Sequence, residues 1–333
     1  MALIAGIHAV VITVRDLEAS ASCYCAALGW EAVAETDLPA TVVERLWGGC
    51  SAARLRVLTA AGAESGRVHL VQFAGSAPAS IGFPDADAYG LFAIDVYVRD
   101  LDVARQRCDD AGAVWVGGPA TWHLGEPPNQ VTVQQGFVHF PDDVNLTLVV
   151  PARPRRTLAW ERDPAAAATE LTSVVVCAED VEASKAFWGT LGLGLVEQYD
   201  AEFAQPAMAR MVGRPETFAQ RMAFLVGSAT ARLEVTGRPR RFSDAAWRSL
   251  DNRPHQRPGR SLGQGAWVVV TDRLEEAIRV ALARGGRLLT PPFAVDGEVY
   301  CGRRVAVVET PEQTLLEIWG PLPAASAELL LGR

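Results

Sequence analysis

The sequence predicts an α+β fold of four βαβββ modules, and three observations carry that expectation. Four segments begin alike: HAVVITVRDLEAS at 8–20, FAIDVYVRDLDVA at 92–104, SVVVCAEDVEAS at 173–184 and AWVVVTDRLEEA at 266–277. Their aspartates, Asp16, Asp100, Asp180 and Asp272, stand 84, 80 and 92 residues apart, so four similar units fill the chain. Each unit then passes through a stretch of helical composition into a glycine-containing turn: LGW at 28–30, AGA at 111–113, LGL at 191–193 and GG at 285–286.

Taken in order, each module opens on a short β-branched run, which reads as a strand. The aspartate suits a helix N-cap, where a carboxylate accepts orphan N–H groups. A β-rich stretch broken by Gly, Pro and Asp follows each glycine turn. The helices pair off by sequence: SCYCAALGW and KAFWGTLGL follow the first and third aspartates, whereas the second and fourth helices lead into AVWVGGP and RLLTPPF. The order A-B-A-B predicts two similar halves. These are an N-terminal domain at 1–152 and a C-terminal domain at 168–322, with a linker at 153–167 and a tail at 323–333.

Composition narrows the function. A chain of 333 residues with 49% hydrophobic and 21% charged residues fits two packed domains. No apolar run reaches the ~18 residues of a membrane helix. A net charge of −8 argues against a dedicated nucleic-acid binder, which needs a basic face. The start, MALIAGIHAVVITVRD, reads as a first strand and not as a signal peptide. Six cysteines without Cys-x-x-Cys spacing predict incidental thiols in a cytoplasmic protein. GxGxxG, Walker A, HExxH and GxSxG arrangements are absent, so nucleotide-dependent chemistry and serine hydrolysis have no support.

The repeated strand, V-x-D, helix and LG turn, with TPEQTLLEIWGP at 310–321 closing the last module, resembles the vicinal oxygen chelate superfamily. That group includes glyoxalase I, bleomycin-resistance proteins, fosfomycin-resistance enzymes and extradiol dioxygenases. The resemblance covers about residues 5–152 and 168–322. It implies that two modules curl into one cup-shaped mixed sheet, giving two cups. It also implies metal ligands on the first strand, seven residues before the capping aspartate, and on the last strand of each module. Carried over, the first-strand positions are Ala9, Ala93, Ser173 and Gly265, and the last-strand positions are His69, Leu148, Glu234 and Glu317.

On that reading the N-terminal cup keeps His69, and the C-terminal cup keeps Glu234 and Glu317. Two carboxylates make a poor zinc or iron site, although Mg²⁺ tolerates them with added waters. No cofactor is therefore assigned beyond a divalent metal ion in the C-terminal cup, held by Glu234 and Glu317 if by anything. The same pair could instead bind a substrate or an arginine, or serve as an acid–base pair. A rival metal set combines His8, His69 and Asp95, the two-His, one-carboxylate pattern of non-haem iron. It requires a register change, because His8 lies eight residues before Asp16. Asp95 is a charge in mid-strand, costly without a partner, and with Tyr97 it falls on the cup face.

Other candidates surround these. Ser173 takes a ligand position without being a usual ligand. Trp267 and Trp319 fall on the expected cup face of the second half, either as an aromatic pocket or as plain core. The loop 121–140 offers Trp122, His123, Glu126, Gln130, Gln134 and His139, and its counterpart 294–304 offers Glu298, Tyr300, Arg303 and Arg304. Tyr300, Arg303 and the tryptophans would position a substrate. The segment 238–260 carries seven arginines and reads as a solvated loop or as an anion-recognising surface. The resulting expectation is an enzyme doing proton-transfer chemistry of isomerase, lyase or cyclase type on a small, ring-containing molecule. A drug-sequestering binding protein and an extradiol-type dioxygenase are the alternatives. The expected partner is a small molecule, with neither nucleic acid nor membrane, and the chain is a monomer or a homodimer.

Overall fold

The computed structural model describes residues 2–124, 127–128, 130–152, 156–196, 200–214, 219–242 and 247–322. Glu126 and the tail 323–333 lie outside the described residues. Module one runs β1 (Ala9–Thr13), α1 (Leu17–Leu28), β2 (Glu31–Leu38), α2 (Ala40–Trp47), β3 (Ala53–Thr59) and β4 (Arg67–Phe73). Module two runs β5 (Ala88–Val98), α3 (Leu101–Asp110), β6 (Val114–Trp115), β7 (Ala120–Leu124), β8 (Val131–Phe140) and β9 (Val144–Val150). The short α4 (Leu158–Arg162) leads to module three: β10 (Ala168–Ala178), α5 (Val181–Leu191), β11 (Gly194–Leu195), β12 (Ala201–Phe203), α6 (Pro206–Met211), β13 (Gln220–Val226) and β14 (Arg232–Gly237). After β15 (Leu250–Asp251), module four runs β16 (Gly263–Val270), α7 (Leu274–Leu282), β17 (Arg287–Val295), β18 (Arg303–Glu309) and β19 (Leu315–Trp319).

Three of the four aspartates cap their helices as the repeat predicts. Asp16 accepts from the backbone N–H groups of Glu18 and Ala19, both at 3.0 Å, and Asp100 and Asp180 repeat the arrangement. The fourth does not. Arg273 occupies the cap of α7, and Thr271 Oγ1 accepts the Arg273 N–H at 3.1 Å instead. Module four thus starts its helix one residue later than its aspartate implies.

The fold is mixed α+β with curled mixed sheets, as expected, but the modules pair differently from the order along the chain. One sheet runs β17-β18-β19-β16-β1-β4-β3-β2 and joins module four to module one. The other runs β11-β13-β14-β10-β5-β9-β8-β6 and joins module three to module two. Antiparallel pairs, β1 with β16 and β5 with β10, stitch the modules together at each centre. The division at 153–167 therefore separates two stretches of sequence and does not separate the sheets.

A continuous apolar core lies on the helix side of both sheets, where Tyr24, Phe140, Trp188 and Trp267 are enclosed. Separate clusters fill the two concave faces. Alternation along the strands makes the division: Val10 and Ile12 face the helices while Ala9 and Val11 face the cup. Among the described residues no helix is long and apolar enough to cross a membrane.

The arginine-rich segment carries the chain back from module three to module four. Among its described residues Arg253, Gln256 and Arg257 are held against the fold, while Arg238, Arg240, Arg241, Arg248 and Arg260 remain exposed. Arg253 bridges Glu179 at 3.1 Å and Asp251 at 2.7 Å, Arg248 meets Asp85 at 2.8 Å, and Arg257 pairs with Glu309. Gln256 accepts from Leu91 N–H at 2.7 Å and donates to Leu91 O at 2.6 Å. This approach needs Gly90, whose φ is +120° and where an added Cβ would stand 2.1 Å from Gln256 Oε1. Gly90→Ala is expected to cost about 1–3 kcal/mol through strain and loss of that contact, read as a lower denaturant midpoint.

Candidate functional site

The two concave faces differ in what fills them. In the sheet of modules one and four, α2 packs into the cup and Trp47 closes on Glu317. Trp47 Nε1 donates to Glu317 Oε1 at 2.7 Å, while Trp319 Nε1 and Tyr300 Oη donate to Oε2 at 2.9 and 3.3 Å. Glu317 is fully buried, and burial raises its pKa against the pull of these three donors. Burial also pushes the Tyr300 hydroxyl well up, with the Glu317 charge adding to it. His69 and His8 both lie against Trp319, at ring separations of 5.6 and 5.7 Å. Burial drives His69 well below its ordinary pKa, and His8 down to about 3 with help from Arg67 and Arg303. Arg303 donates to Gly320 O at 2.7 Å.

The sheet of modules two and three holds an open cleft. It takes in about 950 Å³ including the solvent at its mouth, of which the cavity proper is about 110 Å³. Its walls are aromatic and apolar: Phe92 stacks on Phe137 at 5.5 Å, and Trp122 tilts against Phe203 at 5.3 Å. Met208, Met211 and Met222 complete the lining, and they are all the methionines in the sequence besides Met1. Such side chains adapt to varied shapes.

Strand register lines up the polar groups across the floor. Thr147 on β9 stands opposite Asp95 on β5, Asp95 opposite Ser173 on β10, and Ser173 opposite Arg232 on β14. One step along, Glu234 stands opposite Val175 on the same face. Asp95 and Glu234 are 6% and 7% exposed, so both carboxyls pay heavily for charge. Burial lifts Asp95 from 3.8 to about 6, while the Thr147 hydroxyl, the Arg232 charge and the Ser173 hydroxyl pull it back. Burial lifts Glu234 well above its ordinary value, and the Asp95 charge lifts it further against Arg232.

This arrangement predicts a pH dependence of stability. The folded chain binds the Asp95 proton more tightly than the unfolded chain, so stability falls as pH rises from about 4 to about 6. Asp95→Asn is expected to flatten that fall, measured as denaturant midpoints at pH 4, 5, 6 and 7.

The structure redistributes the residues that the sequence singled out. Glu234 and Glu317 sit on different sheets, so they form neither an acid–base pair nor a shared metal site. His8 and His69 belong to one cup and Asp95 to the other, so the rival set does not assemble. Asp95, Tyr97, Ser173 and Glu234 come together in the cleft, whereas His69, Tyr300, Trp319 and Glu317 come together in the filled cup. Trp267 points to the helix side, 5.6 Å from Trp188, and is core. Two alignments shift by one residue: Thr147 faces the cleft where Leu148 was expected, and Ala266 faces its cup where Gly265 was expected. Arg232, Gln135 and the methionines were missed. The run R-L-E at 232–234 carried a signal for Arg232, because alternation puts it on the face of Glu234.

The four ligand positions of each cup can now be read. They hold Ala9, Ala266, His69 and Glu317 in one, and Ala93, Thr147, Ser173 and Glu234 in the other. A transition metal takes three or four protein ligands. The first cup offers two, and both Glu317 oxygens already accept hydrogen bonds, while the second offers one carboxylate and two hydroxyls at these positions, with Asp95 beside them as a second carboxylate and no imidazole. Neither set fits such a metal. Among the described residues no three His, Cys, Asp or Glu side chains converge as a metal-holding group.

Curled sheets, each built from two βαβββ modules around a concave site, define a glyoxalase-like architecture. Residues 6–143 match the family described as Glyoxalase/Bleomycin resistance protein/Dioxygenase superfamily, a match that spans the first two modules. The structure is similar to glyoxalase I from Zea mays, with a TM-score of 0.62 at 14% identity, covering 98% of this chain and 94% of that one. It is also similar to a candidate dioxygenase from Bacillus subtilis, with a TM-score of 0.60 at 13% identity, covering 98% and 89%. At these identities the likeness is one of fold. No curated protein matches the chain in sequence.

Proposed function

We propose that this protein binds a small, ring-bearing organic molecule in the cleft of modules two and three and moves a proton on it without a transition metal. The observation that carries the reading is the pair of carboxyls, Asp95 and Glu234, raised in pKa at the floor of an aromatic cleft. Two like charges in an apolar site do not both ionise cheaply, so the pair retains a proton at pH values where free carboxylates have lost theirs. Such a pair accepts a proton from an acidic C–H and returns it nearby, which is the work of an isomerase, lyase or cyclase. Glu234 is the proton-moving group, Asp95 tunes it, and the rings of Phe92, Phe137 and Trp122 hold the substrate. Glu317, held by Trp47, Tyr300 and Trp319, acts as a structural group in this reading.

Sequestration of a ligand without chemistry is the second reading, and the three methionines in the wall favour it. The dioxygenase reading needs a donor set that neither cup provides. The experiment is hydrogen–deuterium exchange, followed by proton NMR, on a panel of ring-bearing ketones in D₂O. Protein-dependent exchange that Glu234→Gln abolishes supports the enzyme. Binding in the cleft without exchange for any panel member moves the assignment to sequestration.

A further inference from the structure

We infer that the cleft selects a singly charged anion, seated on Arg232 beside Tyr97, and that the Asp95–Glu234 pair takes up a proton as the anion binds. The inference rests on the cleft being the ligand site and names the class of ligand it takes.

Arg232 is the starting point. Arg214, Arg221 and Arg253 have carboxylate partners, Asp87 at 2.6 Å, Asp200 at 2.9 Å and Asp251 at 2.7 Å, whereas the part-buried Arg67, Arg107 and Arg303 donate to backbone carbonyls and do not line the cleft. Arg232 has no carboxylate partner among the described residues. It donates to Tyr97 Oη at 2.6 Å and to Thr172 O at 3.2 Å, and its guanidinium lies 5.3 Å from the Phe224 ring and 5.9 Å from the Tyr97 ring. Those contacts fix the fork in place with no carboxylate in direct contact among the described residues, although its charge acts on Asp95 and Glu234 across the floor. The Tyr97 hydroxyl accepts from Arg232, so its own proton remains available to a ligand oxygen. A planar guanidinium with a neighbouring hydroxyl suits a carboxylate or a similar oxyanion.

The proton follows from the remaining charges. The ionisable side chains among the described residues lining the cleft are Asp95 and Tyr97 on β5 and Arg232 and Glu234 on β14. The lining from α6, β7, β8, β9, β10 and β13 is apolar, hydroxyl or amide. Outside the cleft, behind Arg232, Arg156 and Glu161 pair with each other. With both carboxyls ionised the cleft carries one net negative charge, and an arriving anion would make two in an apolar space. A proton on the pair removes that repulsion, so anion binding and proton uptake are linked. Anion affinity therefore falls as pH rises through the titration of the pair.

The test uses 2-naphthoate and its neutral isostere 2-naphthamide, titrated calorimetrically at pH 7 in phosphate and in Tris, whose ionisation enthalpies differ. The full chain is compared with Arg232→Gln, Arg232→Lys and Glu234→Gln. The expected result is naphthoate binding at least about tenfold tighter than naphthamide. Arg232→Gln erases the preference and Arg232→Lys keeps part of it, so a general loss of structure is distinguished from loss of charge. The buffer comparison shows net proton uptake with naphthoate, reduced in Glu234→Gln. Equal binding of acid and amide overturns the anion assignment while the cleft remains a ligand site. Binding of naphthoate with proton release, or with no proton exchanged, overturns the coupling. Binding of neither probe overturns both this inference and the ligand reading of the cleft.

Discussion

Glu234→Gln is expected to lower catalysed proton exchange by about two to four orders of magnitude, with ligand affinity changed by less than about tenfold. The amide keeps the shape and most of the packing of the carboxyl and removes only its capacity to take a proton. Glu234 is 7% exposed and stands across the cleft floor from Asp95, so nothing from bulk water replaces it cheaply. The wild-type rate should climb with pH as the pair gives up its proton, because the base form does the work. Asp95→Asn should shift that rise to lower pH, since removing the Asp95 charge eases ionisation of Glu234. Exchange rates measured from pH 5 to 9 in both variants check the roles separately. A Glu234→Gln rate within threefold of wild type would remove the residue from the chemistry.

Arg214→Ala is expected to destabilise the fold by about 3–5 kcal/mol. Asp87 is fully buried, accepts from Arg214 at 2.6 Å and from the Arg248 N–H at 2.9 Å, and would keep its charge with one partner gone. The cost lies in the stranded carboxylate more than in the lost attraction. Replacing both partners, Arg214→Met with Asp87→Leu, should recover a large part of the loss, since apolar groups leave no charge behind. The pair also sets the cleft wall, because Arg214 follows α6 directly and α6 contributes Met208 and Met211. Chemical denaturation of the single and double variants gives the coupling energy, and a loss below about 1 kcal/mol for Arg214→Ala would refute the argument.

The repeat made the fold legible. Asp16, Asp100 and Asp180 behave as helix caps, and that local chemistry depends only on a few neighbouring residues. Which modules share a sheet was not legible, because all four opening strands carry similar apolar patterns and any two could meet edge to edge. That decision rests on long-range packing, and it moved Glu317 away from Glu234. Site residues were legible where a local cost stood out, as with Asp95 in mid-strand. They were lost where a one-residue offset changed the face, as with Leu148 and Thr147, or Gly265 and Ala266. Arg232 was overlooked because a lone arginine in a strand resembles any edge charge until its lack of a carboxylate partner is seen.

The pairing of first module with fourth, and second with third, has a consequence for how the polypeptide can be divided. Cleavage within 153–167 would leave two fragments, each owning one half of each sheet. Neither would possess a finished concave surface, and each would present the bare central strands β1 and β5, or β10 and β16, to its surroundings. Such pieces are complementary in the manner of a split reporter, each carrying the strand edges that the other covers. The cleft is thereby shared property of the two halves, assembled only when both meet.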